Sequence, residues 1–403
     1  MKISDFTPKT QINNLFTQNS ETQGGVVIMV EPFSEPVHIT RPLLPDIEEL
    51  KVMLESIWSS NQLSNNGKMV KQLELELAAY LGSEQISVFS NGTVALQIAC
   101  KVLRLEGEVI TTPFTFAATV HSLAWNNIKP VFCDIEEDTF NINPDCIEAL
   151  ITQDTTAILP VHVFGNPCNV KKIQKIADKY NLKVLYDAAH AFGVKVNGKP
   201  IAAFGDMSMF SFHATKIYHT IEGGALTFNN PYLKERADSL RNFGLRGTEN
   251  VMEPGTNGKL NEVQAAVGIL LLKKVNAEID CRKKITELYR NSLKDVPGIT
   301  LSQDMEGVTH NYPYFVIRID KDKYGLTRDM LYEKLQQYNI ISRKYFYPLC
   351  SNFQCYRDIP SAAESRLPVA NRVADSVLSL PLHGRLAEDD VARICEIIKG
   401  MKP

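Results

Sequence analysis

Two side chains of opposite charge are the first candidates for chemistry, because each follows a predicted strand. Lys216 lies in "SFHATKIYHTIEGGAL", and Asp187 lies in "KVLYDAAHAFG". Ligand crevices of open α/β sheets form at the carboxyl ends of the parallel strands. Pyridoxal phosphate needs a lysine to bind it and a carboxylate that keeps its pyridine nitrogen protonated. Lys216 and Asp187 therefore predict a catalytic site for this cofactor.

A second set of residues suits the phosphate and the ring of such a cofactor. The stretch "FSNGTVAL" places Gly92 and Thr93 between a strand and a helix, whose N-terminus favours an anion. Ser211, at the end of another strand, adds a hydroxyl. Phe114 or Phe116 can supply an aromatic plate. Each feature alone also suits a structural role, but four of them in order at strand ends favour the cofactor site.

The order of predicted elements positions these residues on one sheet. From about residue 85, short apolar runs at 86–89, 108–112, 129–135, 156–163 and 183–189 alternate with helical stretches. This pattern is typical of βαβ units. With the two strands around Lys216 it predicts an α/β fold with a mostly parallel, seven-stranded sheet. The spacing further predicts one long helix over 259–290.

The chain divides into three predicted parts. After 295–300 the pattern becomes that of a small α+β domain. We expect an N-terminal extension of unknown role at 1–38, a large cofactor-binding domain at 39–290 and a small C-terminal domain at 291–403. For the extension, disorder and an added edge strand are both open.

Composition narrows the function classes. The net charge of −3 gives no reason to expect nucleic acid as a partner. No apolar run approaches the roughly 20 residues that span a bilayer, and the polar N-terminus does not resemble a signal peptide. The eight cysteines form no metal-ligand spacing, so no metal is expected. These features predict a cytoplasmic protein without a membrane partner.

Several motifs in one order link the chain to a known family. "SNGTVAL", "TPFTFAAT", "YDAAHAFG", "SFHATK…EGGAL" and "GTNGKLNEVQAAVG" together resemble the DegT/DnrJ/EryC1/StrS family of sugar-nucleotide aminotransferases. The resemblance extends from about Val37 to the C-terminus. It implies the fold of fold-type I pyridoxal phosphate enzymes. Because Lys216 is present, transamination is favoured over the dehydration carried out by members with histidine there.

The resemblance assigns a role to each matching residue. Lys216 is the implied Schiff-base lysine, and Asp187 is the implied partner of the pyridine nitrogen. The other implied cofactor contacts are His190 near the phenolic oxygen, Gly92, Thr93 and Ser211 at the phosphate, and Phe116 on the ring.

The family also implies a homodimer with shared active sites. Asn257 would contact the cofactor phosphate of the neighbouring subunit. The family usually has arginine two positions later, where this chain has Lys259. Lysine offers only a point charge, so a bidentate carboxylate contact there is in doubt.

The substrate is suggested by further stretches. "RPLLPDIEEL", "LSNNGKMVKQLE" and "SRKYFYPL" are similar to members that aminate C4 of dTDP-4-keto-6-deoxy-D-glucose with L-glutamate as donor, for bacterial surface polysaccharides such as O-antigen. Arg343, Lys344 and Tyr345 can contact a pyrophosphate or a ring, and His310 is a similar candidate. A partly exposed aromatic strand edge explains these residues equally well.

Three alternatives stay open. One is amination of C3 on a dTDP-3-keto-6-deoxyhexose. Another is a binding or regulatory protein that has kept the fold; the intact Lys216 and Asp187 pair speaks against it. The last is a desulfurase-like reaction, although no cysteine lies in an obvious catalytic loop.

Overall fold

A computed structural model describes residues 30–401 of the chain. Of the predicted extension at 1–38, residues 1–29 lie outside the described residues. The end of that extension pairs with the C-terminal part of the chain. Val37 forms a parallel bridge with Ile340, and the Phe33 amide donates to the Tyr338 carbonyl at 3.2 Å. These residues therefore behave as an added edge segment.

Seven strands form the central sheet. In chain order they are β1 (Gln85–Phe89), β2 (Glu108–Thr111), β3 (Lys129–Phe132), β4 (Thr155–Leu159), β5 (Lys183–Asp187), β6 (Met207–Ser211) and β7 (Gly224–Phe228). Their spatial order is β1-β7-β6-β5-β4-β2-β3, and β7 is antiparallel to both of its neighbours. The other contacts are parallel. The predicted mostly parallel, seven-stranded sheet is confirmed.

Helices cover this sheet and build the C-terminal part. They are α1 (Ile47–Ser60), α2 (Lys68–Leu81), α3 (Gly92–Val102), α4 (Ala117–Ala124), α5 (Pro144–Ile147), α6 (Val170–Tyr180), α7 (Pro231–Leu240), α8 (Glu262–Leu272), α9 (Val275–Leu293), α10 (Lys321–Tyr324), α11 (Arg328–Gln337), α12 (Pro368–Ser376) and α13 (Glu388–Gly400). Among residues 30–401, no helix is long and apolar enough to cross a membrane.

The prediction of a single long helix over 259–290 is wrong. The structure has two helices there, α8 and α9, separated at Lys273 and Lys274. Helix α8 is buried on most of its surface and packs against α1 and α2, whereas α9 packs against α13. Because α8 and α9 pack against different helices, the chain turns between them. Helix α9 also continues past residue 290, where the boundary between the large and small domains was predicted. The division into these domains stays a prediction.

A smaller antiparallel sheet marks the C-terminal part. Its strands are β8 (Ile299–Leu301), β9 (Phe315–Ile319) and β10 (Val377–Leu380), with β9 in the middle. Two-residue strands form a hairpin, Leu245–Arg246 with Asn250–Val251, and a further small sheet, Lys195–Val196, Lys199–Pro200 and Val308–Thr309. The predicted α+β character of this part is therefore observed.

Candidate active site

One cavity of about 300 Å³ opens at the carboxyl ends of the parallel strands. Its walls come from the loops after β1, β2, β5 and β6, and from the loop near residue 345. Most of the predicted site residues line it: Gly92, Thr93, Phe116, Asp187, His190, Ser211, Lys216, Arg343 and Tyr345. Residues far apart in the sequence thus meet in one place.

A helix N-terminus suited to an anion forms one end of the cavity, a cradle where β1 turns into α3. Asn91 caps this helix by accepting from the Val94 amide at 2.8 Å. The first amides of a helix have no partner within it, and the helix dipole favours negative charge there. A Cβ on Gly92 would lie 3.1 Å from Ser211 Cβ, so Gly92 keeps the cradle open beside Ser211.

Asp187 is the buried carboxylate at the end of β5. Its Oδ2 accepts from the Thr119 hydroxyl at 2.7 Å, and its Oδ1 accepts from the Ala189 amide at 3.0 Å. Burial raises the pKa of Asp187, while these donors and nearby Lys216 lower it in part. The two donors therefore hold the carboxylate in one orientation. The positive charge beside it does not offset its burial, and a protonated ring nitrogen would add more.

Lys216 lies on a short turn after β6. The backbone amide of Lys216 closes this turn by donating to the His213 carbonyl at 2.8 Å. The side chain is partly buried and lines the cavity. Burial lowers its pKa, although Asp187 and Tyr345 act in the opposite direction. A lysine whose neutral form is favoured in this way is suited to act as a nucleophile and a base.

His190 is held neutral beside aromatic rings. The Phe164 amide donates to its Nδ1 at 3.2 Å, so the ring proton lies on Nε2. Its ring is parallel to those of Phe164 and Phe346, with centroids 6.3 and 5.9 Å away. Burial, and secondarily Lys216, keeps the pKa of His190 well below its usual value. His190 thus provides a hydrogen-bond donor rather than a charge.

The structure separates the two phenylalanines that were candidates for the ring plate. Phe114 is fully buried and packs against Phe140, Phe164 and Phe346. Phe116 precedes α4, is 60% exposed and lines the cavity. Of these two phenylalanines, only Phe116 offers a ring face that a planar ligand in the cavity can reach.

Two predicted residues lie elsewhere. Asn257 is exposed, and its Oδ1 accepts from Lys259 Nζ at 2.9 Å. His310 faces a different, small cavity; its Nδ1 accepts from the Tyr312 amide, and its Nε2 pairs with Asn166. Burial lowers the pKa of His310 to about 4. Because both of its ring nitrogens have partners within the protein, the geometry gives no support to a substrate contact by His310.

Lys344, the other cation considered for the substrate besides Arg343, contacts side chains outside the cavity wall. Its Nζ lies 2.5 Å from Asp329 and 4.6 Å from the centroid of the Tyr332 ring. Arg343 and Tyr345 remain as the cavity-lining residues of this loop.

Several cavity residues were not predicted. Thr119 orients Asp187, and Tyr314 and Phe346 bring aromatic surface from the C-terminal part. Thr119 follows Phe116 by one helical turn in the motif "TPFTFAAT", so its spacing was a usable signal. Tyr314 and Phe346 gave no such signal, because only the tertiary fold brings them to the cavity.

Comparison with known proteins agrees with this arrangement. A model of the DegT/DnrJ/EryC1/StrS aminotransferase family matches residues 46–399. The chain belongs to this family. The resemblance inferred from the motifs is thereby confirmed, and the match includes every residue of the cavity wall described above.

Individual members of the family are similar over nearly their whole length. A dTDP-4-amino-4,6-dideoxy-D-glucose transaminase of Escherichia coli is 46% identical over 90% of this chain and 98% of that protein. One of Shigella dysenteriae is 44% identical over 91% of this chain and 100% of that protein. The crystal structure of DesI in the presence of its TDP-sugar product has a TM-score of 0.88 at 36% identity, covering 92% of this chain and 93% of DesI.

Proposed function

We propose that this protein transfers the amino group of L-glutamate to C4 of dTDP-4-keto-6-deoxy-D-glucose, giving dTDP-4-amino-4,6-dideoxy-D-glucose. The pairing of Lys216 with Asp187 in one cavity, beside an anion cradle, carries the aminotransferase chemistry. The names of the two transaminases, and the crystal structure of DesI in the presence of its TDP-sugar product, support the choice of substrate.

The cavity residues fit pyridoxal phosphate. Lys216 Nζ is the amine that would hold its aldehyde carbon, and Asp187 would face its pyridine nitrogen. The N-terminus of α3, with Thr93 and Ser211, would hold the phosphate. Phe116 would cover the ring, and His190 would donate to its phenolic oxygen. Burial raises the pKa of Asp187 and lowers that of Lys216, and a cofactor that adds positive charge beside the carboxylate and uses the neutral amine would suit both groups.

When bound, the cofactor supplies a carbon that accepts the amino group and a ring that accepts electrons. The protein's residues do the rest. Lys216 Nζ, neutral when free, takes the proton from the α-carbon of the amino donor and later returns one as an acid. Asp187, fixed by Thr119 and Ala189, keeps the ring nitrogen protonated. Arg343, exposed at the cavity, would bind the diphosphate of the nucleotide.

Replacing Phe116 with alanine tests the position of the cofactor. Because Phe116 is 60% exposed, the fold should be unaffected. Loss of the stacked ring should weaken pyridoxal phosphate binding about tenfold. Fluorescence or absorbance titration of the cofactor-free protein measures this change. Trp125→Ala, at the opposite end of the same helix and outside the cavity wall, is the matched control. Equal affinities for wild type and Phe116→Ala would contradict the assignment.

We further propose that the protein works as a homodimer in the cytoplasm. All eight cysteines are free, which suits a reducing compartment. Trp58, Ile221, Phe243, Val251 and Met252 are each at least half exposed, which is costly for a monomer. Asn257 lies outside its own chain's cavity, as a residue reaching a partner's phosphate would. Light scattering of the purified protein measures the assembly; a monomer at micromolar concentration would contradict the dimer.

The regiochemistry of the product tests the whole proposal. Purified protein is incubated with pyridoxal phosphate, L-glutamate and dTDP-4-keto-6-deoxy-D-glucose, and the new amine is located by NMR. An amine at C4 supports the proposal, and the same spectra reveal whether the amino group is axial or equatorial. No turnover of this ketone by an enzyme that still reacts with L-glutamate would instead direct attention to the 3-keto isomer. A protein that takes up no cofactor would contradict the enzyme assignment.

A further inference from the structure

Tyr345 is held firmly at the cavity wall. Its ring packs edge-to-face on Tyr314, with centroids 5.7 Å apart, and stacks on Phe346 at 4.8 Å. The Arg343 guanidinium carbon lies 5.4 Å from the centroid of the same ring. Three neighbours therefore fix the direction of the Tyr345 hydroxyl.

The hydrogen bond between Arg343 and Tyr345 has only one possible direction. Arg343 Nη1 lies 2.6 Å from Tyr345 Oη, and a guanidinium donates but does not accept. Tyr345 Oη is therefore the acceptor, and its own proton is left for a different group.

Two other polar side chains of the cavity already have hydrogen-bond partners within the protein. Asp187 accepts from Thr119 and Ala189. His213 Nδ1 accepts from the Thr215 amide at 3.2 Å. Tyr345, in contrast, lines the same cavity as Lys216. The Tyr345 side chain and the Lys216 amine therefore both border the space in which a substrate would lie.

We propose that Tyr345 is the proton donor to the sugar's carbonyl oxygen when the amino group is delivered, an inference that rests on the proposed function. As the amine nitrogen bonds to the carbonyl carbon, the π electron pair moves to oxygen, which takes a proton from Tyr345 Oη. The carbon–oxygen bond then breaks, and its electron pair leaves with the oxygen. The two protons of the resulting water come from the amine nitrogen through Tyr345 and Lys216, so both side chains end the step unchanged.

The test separates the two halves of the reaction. Single-turnover kinetics of the cofactor-loaded enzyme measure the reaction with L-glutamate and, separately, that of the aminated enzyme with saturating dTDP-4-keto-6-deoxy-D-glucose. We expect Tyr345→Phe to slow the sugar half about 100-fold and the glutamate half by less than about threefold. Calorimetric affinity for dTDP should stay within about twofold of wild type. Tyr347→Phe, two residues along and half exposed, is the matched control and should change neither half.

Each other outcome overturns this role. An unchanged sugar half would remove Tyr345 from the proton transfer. Equal slowing of both halves would mean that it acts only through Lys216. Weaker dTDP binding, matching that of Arg343→Gln, with a normal rate at saturation would make it a binding residue. A wild-type enzyme that accepts the amino group but does not pass it to this ketone would reject the proposed substrate, and the role of Tyr345 with it.

Discussion

Replacing Lys216 with alanine is expected to abolish amino transfer while leaving the fold intact. Lys216 is the cavity amine whose pKa burial lowers, so its loss removes both the covalent attachment and the base. General acid–base catalysis alone is typically worth about 10²- to 10⁴-fold, and the covalent attachment is lost as well, so turnover should fall by at least about 10²-fold. Removing a buried amine also relieves a desolvation penalty.

The measurement combines steady-state turnover with trapping. Borohydride reduction should fix the cofactor to wild type at Lys216, as seen by peptide mass spectrometry, and should leave the alanine variant unlabelled. Lys216→Arg is the matched control, because it keeps a positive charge but provides no nucleophilic amine at ordinary pH. Circular dichroism and thermal unfolding check the fold. Normal turnover in the alanine variant would refute the assignment of the site.

Replacing Asp187 with asparagine is expected to lower turnover by about 10² to 10³-fold, which is about 3 to 4 kcal/mol of transition-state stabilisation. Asparagine keeps the shape, and its oxygen can still accept from the Ala189 amide. It carries no negative charge, however, so a ring nitrogen facing it would no longer be held protonated. Single-turnover rates with L-glutamate and the absorbance of the bound cofactor measure this loss. Wild-type kinetics would remove Asp187 from the site.

The same variant should stabilise the cofactor-free protein at neutral pH. Burial raises the pKa of Asp187, so the folded state holds this proton more tightly than the unfolded state does. Stability therefore falls as pH rises from the ordinary value of 3.8 through the raised value. Asparagine removes this penalty. Thermal unfolding should show a higher midpoint for the variant at pH 7 than for wild type, with the difference shrinking toward pH 4; a lower midpoint at pH 7 would contradict it.

The sheet and the two charged residues of the site were predictable because their signals are local. Apolar runs of strand length and the residues just after them predict which side chains gather at one edge. The break between α8 and α9 was not predictable in this way, because the apolar spacing continues through it. What each half packs against decides the turn, and those neighbours lie elsewhere in the sequence.

The C-terminal contribution to the site shows the same limit. His310 and Tyr345 lie in similar aromatic stretches, "HNYPYF" and "RKYFYP". The fold turns both ring nitrogens of His310 onto Asn166 and Tyr312, whereas it turns Tyr345 toward the cavity. The residue type alone does not distinguish these fates, since they depend on the packing of the C-terminal part against the large sheet.

The antiparallel strand β7 has a consequence for the order of folding. Strand β1 lies at an edge of the sheet and pairs with β7, which follows it by more than a hundred residues. The backbone of Gly224 at the start of β7 also packs so closely on the α3 turn that a Cβ would lie 2.7 Å from the Gly92 amide nitrogen. Such distant contacts form late, because a long loop must first close. A nascent chain therefore cannot complete the packing around the turn from β1 to α3 until Phe228 has left the ribosome, and the proposed cofactor would bind only after most of the large sheet has been synthesised.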